Sequence, residues 1–173
     1  MGRFYKSTRS GRYEYIEIMH VRQFSPDDAE RLSRLIVRNL KLVNIRDYSP
    51  RVIEALIPSH TPERIQDLAR NGYTLVGVDG EVIVGTASLD GDRVRNVFVA
   101  VEKHGMGVGR KLMAAIEAYA LDRRLRRIYL LSGLTAEGFY RKLGYEKAGV
   151  IEHDLDGVPL QLIKMEKVLT PAK

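Results

Sequence analysis

Residues 94–112 read VRNVFVAVEKHGMGVGRKL, and the fold follows from how that stretch divides. Val97, Val99 and Val101 alternate as a strand does, a glycine-rich corner follows, and the residues after the corner favour helix. Glycine lets the backbone turn tightly and approach a ligand closely, while the unpaired N–H groups and dipole of a helix's first turn favour negative charge. Strand, glycine corner and helix in that order make an anion site, and a phosphorylated occupant is expected.

Beyond the corner, Val108, Leu112, Ile116, Tyr119 and Ala120 form one apolar stripe, which predicts a helix from about Gly107 to Arg124. Ile128 to Leu131 is a short, wholly apolar strand, expected in the sheet's interior. A shorter helix is expected from about Thr135 to Leu143, stopped by Gly144. Tyr145 to Ile151 and Val158 to Lys167, joined by a turn at Asp156-Gly157, then read as a hairpin. Upstream, the apolar runs Leu75 to Val78 and Val82 to Val84 flank Asp79-Gly80, and Asp90-Gly91-Asp92 hands over to Val94, so three antiparallel strands in a meander are predicted.

Earlier still, Ser25-Pro26-Asp27-Asp28 starts a helix carrying Leu32, Leu35, Ile36 and Leu40, expected to cover the sheet. Ser49-Pro50 and Thr61-Pro62 mark two more starts, the second running through Ile65 and Leu68 to Gly72. The polar, interrupted segment between Val43 and Asn71 reads either as the wall of a substrate cleft or as a plain connection. Tyr15, Ile16, Ile18 and Val21 alternate as a first strand. Residues 1–13 read as a flexible basic arm, 14–168 as a single domain and 169–173 as a tail.

The chain has 173 residues and a formal charge of +6, with no cysteine. That length buries a core within one domain, and the missing cysteines exclude disulfides, thiolate metal sites and cysteine nucleophiles. With no apolar run of membrane-spanning length and no signal-peptide core, the reading is a cytoplasmic protein. Arg3, Lys6, Arg9 and Arg12 make the arm basic, and Arg123, Arg124, Arg126 and Arg127 cluster at a predicted helix end. Cations there answer the helix dipole, so nucleic acid is not the expected partner.

Several chemistries lack their motifs. The corner Gly105-Met106-Gly107-Val108-Gly109-Arg110-Lys111 has no Gly-Lys-Ser/Thr ending to hold magnesium and a nucleotide, and its GxGxG comes too late in the chain for a dinucleotide fingerprint. His20, His60, His104 and His153 have no metal-ligand spacing, so no metal is expected, and no Gly-x-Ser-x-Gly elbow is present.

Taken together, the motifs resemble the GNAT superfamily of N-acetyltransferases. Its pyrophosphate loop, Q/R-x-x-G-x-G/A, matches His104-Gly105-Met106-Gly107-Val108-Gly109, with His104 in place of the usual Gln or Arg. Val97-Phe98-Val99-Ala100-Val101 resembles the strand whose backbone pairs with the pantetheine arm. Ala136-Glu137-Gly138-Phe139-Tyr140-Arg141-Lys142-Leu143-Gly144-Tyr145 is similar to the second signature, A-x-x-F-Y-x-K-x-G-F/Y, and Val21 to Ala29 is similar to the family's entry strand and helix. The resemblance spans residues 15 to 168. It implies an α/β fold of the α+β type: a mixed, mainly antiparallel sheet of six or seven strands with helices on both faces. A splay between the organising strand and Ile128 to Leu131 is expected to admit the pantetheine arm.

The implied reaction is direct transfer of an acetyl group from acetyl-CoA, a cosubstrate, to a primary amine. Val97, Phe98 and Val99 would line the arm, with the Val99 N–H facing the developing oxyanion. His104, Gly105, Met106, Gly107, Val108 and Gly109 would hold the pyrophosphate, Arg110 and Lys111 adding positive charge. Tyr140 is implied as general acid: a phenol of ordinary pKa ~10 is protonated at neutral pH and can donate to a leaving thiolate. Where many members have Asn, seven positions before that Tyr, this chain has Gly133. The strand positions some relatives use for a base hold Arg95 and Asn96, and Asp92, Glu102 and Glu137 read as solvated acids, so the base stays unassigned.

The acceptor is left open between small-molecule and protein amines. An acidic cleft would favour polyamines or aminoglycosides, and an open groove would favour peptides. The rival function is a non-catalytic acyl-CoA-binding regulatory module. The apolar terminal hairpin, with Leu160, Leu162 and Ile163, offers either an edge for a homodimer or the finish of its own sheet.

Overall fold

A computed structural model describes residues 19–155 and 157–170, and the backbone of 4–7 and 13–16. Strands β1 (Phe4–Ser7) and β2 (Tyr13–Ile16) pair antiparallel as a small separate sheet. The expected first strand is thereby divided. Tyr15 and Ile16 belong to β2, Ile18 lies outside the described residues, and Val21 sits in β3 (His20–Gln23), which pairs with β4 (Tyr73–Asp79) of the main sheet. Part of the stretch read as an arm is β1. Arg3, Arg9 and Arg12, like Asp156 of the last turn, lie outside the described residues.

The main sheet has seven strands in the order β3-β4-β5-β6-β7-β9-β8. The expected meander is β4, β5 (Val82–Asp90) and β6 (Arg93–Val99). Helix α4 (Val108–Asp122) carries the chain from β6 to β7 (Arg127–Ser132), and these two strands form the sheet's one parallel pair. After α5 (Glu137–Lys142), β8 (Glu146–Leu155) and β9 (Val158–Val168) close the chain as a hairpin, with β9 inserted between β7 and β8. The hairpin's free edge is therefore β8; Leu160 and Ile163 on β9 are buried inside the sheet.

Alternation along each strand sends side chains to opposite faces and so builds two cores. Leu75, Ala87, Leu130 and Met165 pack with Leu112, Met113 and Ile116 of α4, and the same cluster takes in Tyr140 and Tyr145 around α5. On the other face, Val76, Val78 and Ile83 pack with Leu32, Ile36 and Leu40 of α1 (Ala29–Leu42), Ile53 of α2 (Pro50–Leu56) and Ile65 of α3 (Pro62–Asn71). The Pro starts behave as their chemistry dictates: the Ser49 hydroxyl accepts from the Val52 N–H and the Thr61 hydroxyl from the Arg64 N–H, both at 3.4 Å. No helix among the described residues is long and apolar enough to cross a membrane.

Two contacts seat the helices that flank the site. Asp28, just before α1, is 1% exposed; its carboxylate takes both Arg22 Nη atoms of β3, at 2.6 and 2.8 Å, and the Ser25 N–H at 2.8 Å. The guanidinium holds that carboxyl below its usual range. On the opposite face Gly77 and Gly85 pair across β4 and β5 beneath α4. A Cβ on Gly85 would lie 2.9 Å from Leu112 Cδ1 and 3.1 Å from Val108 Cγ1. Hydrogen in place of a side chain lets the first turns of α4 settle onto the sheet.

Candidate functional site

Strand β6 is interrupted where the chemistry is expected. Its register against β5 shifts between Thr86 and Ser88, and Asn96 within the resulting bulge has a φ of 50°. Beyond the bulge β6 leaves β7: the two strands pair at Arg93↔Tyr129 and Val94↔Leu130 only. The expected splay is present, with Val97, Phe98 and Val99 along it. Ala100 donates its N–H to the Val84 carbonyl at 2.8 Å. Successive residues of a strand point their amides to opposite sides, so the Val99 N–H and C=O face away from β5, into the splay. The Val99 carbonyl accepts from His104 Nε2 at 2.9 Å. His104 is thus tied to the strand's end, a role for its side chain that the loop motif does not contain.

The glycine corner has the expected local geometry. A short 3₁₀ turn at Val101–Lys103 leads into Gly105 and Gly107, with φ of 76° and 82°, conformations that disfavour any side chain, and a Cβ at either would meet open space. Gly107 caps α4, and the first intrahelical bond is Lys111 N–H to the Gly107 carbonyl at 3.1 Å. The N–H groups of Val108, Gly109 and Arg110 therefore precede the helix ladder. Gly109 is small for a different reason. Its Cβ would lie 3.0 Å from Phe139 Cζ, so α5 packs directly on the loop helix. Met106 is largely exposed at the corner, and Lys111 Nζ reaches the Met19 carbonyl at 3.4 Å.

Helix α5 places Tyr140 between these parts. The Tyr140 ring is buried, edge-on to Phe139 at 5.0 Å and to Tyr145 at 5.8 Å. Among the described residues its hydroxyl has no hydrogen-bond partner, and it lines the cavity beside β6. Burial pushes its pKa well above that of an ordinary phenol, so the proton stays on the oxygen at neutral pH. The three acids considered for a base stand elsewhere. Glu102 pairs with Arg38 at 2.7 Å and Glu137 with Arg141 at 2.7 Å, while Asp92 caps β7 through its carbonyl, 3.0 Å from the Tyr129 N–H.

The cavity has a volume of about 960 Å³, and its lining draws on β6, β7, α5, the β8–β9 hairpin and the 43–71 segment, which is the cleft wall and not a plain connection. Its charges are mixed: Arg64, Arg93 and Arg95 stand with Asp67, Asp90 and Asp154, so an acidic cleft for polycations is not what these walls form. The segment also explains Gly133. A Cβ there would lie 2.8 Å from Asp47 Oδ2 and 3.0 Å from the Tyr48 hydroxyl, so the space of the family's Asn is filled from the insertion. Asp47 also accepts from the Thr135 N–H at 2.9 Å and from the Thr135 hydroxyl, which clasps the turn before α5. Burial, with the neighbouring Asp47 charge, pushes the Tyr48 phenol up to about 12.

His60, also in the wall, has its Nδ1 2.9 Å from the Leu56 carbonyl and its ring edge-on to Phe98 at 5.8 Å. A carbonyl can only accept, so Nδ1 carries the hydrogen and Nε2 the lone pair. Burial lowers the pKa of the ring, which is neutral at pH 7. Sequence reasoning set His60 aside with the other histidines for lack of metal spacing. Its one local signal was its place immediately before the Thr61-Pro62 helix start, which does not say where the ring points.

Comparison with known proteins agrees with this geometry. Residues 44–169 match the family model described as an acetyltransferase (GNAT) domain. A GCN5-related N-acetyltransferase of Rhodopseudomonas palustris is 25% identical, over 89% of this chain and 98% of its own, with a TM-score of 0.83. PaiA N-acetyltransferase of Thermoplasma acidophilum, solved with coenzyme A, is 19% identical over 87% and 99%, with a TM-score of 0.72. Ribosomal-protein-alanine N-acetyltransferase of Brucella melitensis is 20% identical over 87% and 99%, with a TM-score of 0.66. No curated protein matches the chain in sequence.

Proposed function

Because the chain belongs to the GNAT acetyltransferase family and is an N-acetyltransferase, we propose that it moves the acetyl group of acetyl-CoA directly onto a primary amine held in the cavity between β6, β7 and the 43–71 segment. The observation that carries this reading is the splay of β6 from β7, which opens beside Tyr140 and ends at the unpaired amides of α4. The similar fold of PaiA with coenzyme A bound supports the same donor. We place the reaction in the cytoplasm, as the absence of cysteine allows.

Acetyl-CoA supplies an activated acetyl thioester, and the chain's residues divide the remaining work. The N–H groups of Val108, Gly109 and Arg110 and the dipole of α4 bind the pyrophosphate. Gly105 and Gly107 keep the approach free of side chains, and Arg110 and Lys111 add positive field. Val97 and Phe98 flank the pantetheine arm, with His104 holding the strand's end in place. The Val99 N–H meets the carbonyl oxygen as it becomes an oxyanion. His60 Nε2 accepts the proton that the attacking amine loses, and the Tyr140 hydroxyl gives one to the departing sulfur. The neutral amine loses one proton to His60 and the sulfur gains one from Tyr140, and transfer of the His60 proton back to Tyr140 through solvent restores both groups, so the exchange balances without a covalent enzyme intermediate.

Replacing Tyr140 by Phe tests the assignment closest to the bond being broken. The substitution keeps the buried ring and removes only the hydroxyl, which has no hydrogen-bond partner to lose among the described residues. General acid catalysis contributes about 10²–10⁴ in rate, so Tyr140→Phe is expected to lower kcat by roughly 10²-fold or more with little change in the acetyl-CoA KM. An unchanged kcat would remove Tyr140 from the mechanism.

A further inference from the structure

Two arginines two residues apart on β6, Arg93 and Arg95, both line the cavity. Arg95 is already occupied: its Nη1 lies 3.0 Å from Asp90 Oδ2. Arg93 differs. Among the described residues it makes no ion pair and no hydrogen bond, and its Nε is fully buried without a partner. The other carboxylates of the cavity wall are engaged as well. Asp67 pairs with Arg70 at 2.8 Å, and Asp154 accepts the Gly157 N–H at 2.8 Å. Arg93 is only partly buried as a residue, but a buried guanidinium N–H left without a partner is costly to desolvate. Burial, and then the neighbouring Arg95 charge, weaken the hold of Arg93 on its proton, and the opposing pull of Tyr129 and Asp90 is smaller.

We propose that Arg93 is the seat of a carboxylate on the acceptor, so that the amine acetylated by this protein belongs to a small, amino-acid-like molecule carrying its own carboxylate. The inference rests on the acetyl-transfer reading and narrows it to a substrate class. The two Nη groups of a guanidinium form a planar fork that matches the two oxygens of a carboxylate end-on. A polycationic acceptor would instead bring further positive charge up to Arg93 and Arg95. Elsewhere along its wall the cavity offers Leu56, Val158, Leu160 and Leu162, surfaces suited to the apolar body of an acceptor.

The test compares acceptors that differ only at the carboxylate. Initial rates of thiol release from acetyl-CoA are measured with L-leucine, L-methionine and L-phenylalanine, with their α-amides, and with spermidine and kanamycin as polycations. The amide amines are less protonated at neutral pH, a bias that runs against the expected result. In parallel, calorimetry follows binding of the three N-acetyl amino acids to the protein loaded with CoA. At least one free acid is expected to exceed its amide by about tenfold or more in kcat/KM, and Arg93→Gln is expected to bring that ratio close to one with the acetyl-CoA KM unchanged. The matching N-acetyl amino acid is expected to bind about tenfold more weakly to Arg93→Gln, with Arg93→Lys intermediate because it keeps the charge and loses the fork. A urea midpoint for each variant separates misfolding from lost recognition.

Amides or polycations turned over as well as the acids, with a ratio insensitive to Arg93→Gln, would overturn the proposal while leaving acetyl transfer standing. Absence of both acid turnover and N-acetyl amino acid binding would overturn it too, and acetyl-CoA titration in the same experiment reports separately on the donor site.

Discussion

Tyr140 is buried and His60 partly so, both are held in the form their proposed roles need, and in each case desolvation is the main cause. For Tyr140 the neutral phenol is favoured; for His60 it is the neutral imidazole. The second leads to a pH dependence that can be measured without knowing the acceptor. In the unfolded chain His60 titrates near the ordinary value of about 6.5, while in the folded protein its pKa is lower. Between the two values the unfolded state binds more protons, so stability rises with pH there. The contribution is complete above about pH 6.5 and is lost as the pH falls through the folded pKa. Urea midpoints measured from pH 7.5 to 5 are expected to fall more steeply for the wild type than for His60→Gln. Parallel curves would show that the ring is not held neutral by the fold.

Helix α4 and strand β6 together frame the proposed donor site, and Gly85 lets that helix lie close on the sheet. An alanine Cβ at Gly85 would meet the Phe98 carbonyl and Leu112 Cδ1, each at 2.9 Å. Overpacking of this kind costs about 1–3 kcal/mol. Because the strain falls under the first turns of α4, Gly85→Ala is expected to lower the urea midpoint and to weaken acetyl-CoA binding together. A stability loss with donor affinity intact would mean that the loop and α4 do not share one placement.

The strand, corner and helix of the proposed donor site were legible in the sequence for a physical reason: strand alternation, a glycine corner and a helical stripe are local patterns. The structure has them at Val97 to Val99, Gly105 to Gly109 and Val108 to Ala120. The bulge at Asn96 was not legible, since a non-glycine residue at positive φ leaves no compositional mark. Division of the first strand was missed because Tyr15, Ile16 and Val21 keep an apolar rhythm across two strands that join different sheets. Arg93, Asp47 and His60 were beyond reach because their partners are remote in sequence. Asp47 meets Gly133 and Thr135 only once the 43–71 segment folds back over β7, and only the folded chain shows that Arg93, though opposite Asp90 in register, keeps its Nε without a hydrogen-bond partner among the described residues.

At the scale of the whole molecule, two cores on opposite faces of one sheet assign two tasks. The face covered by α4 and α5 presents the donor loop and Tyr140, while the face covered by α1, α2 and α3 supplies the cavity wall with His60 and, through the same chain segment, the clasp on Gly133. The splay between β6 and β7 joins the faces, so in the proposed reaction donor and acceptor meet where the sheet is open. The function follows from that opening, and a regulatory module that only binds acyl-CoA would have no use for an acceptor cavity of about 960 Å³ beside the sulfur's expected position. The measurement that tests this most directly is thiol release from acetyl-CoA by the purified protein, recorded with and without a panel of amino acids, their amides, polyamines and peptides, alongside calorimetric titration of acetyl-CoA. The expected result is saturable acetyl-CoA binding together with thiol release that depends on an added amine and yields the N-acetylated product. Saturable binding with no amine-dependent release anywhere in the panel would contradict it and favour the binding module.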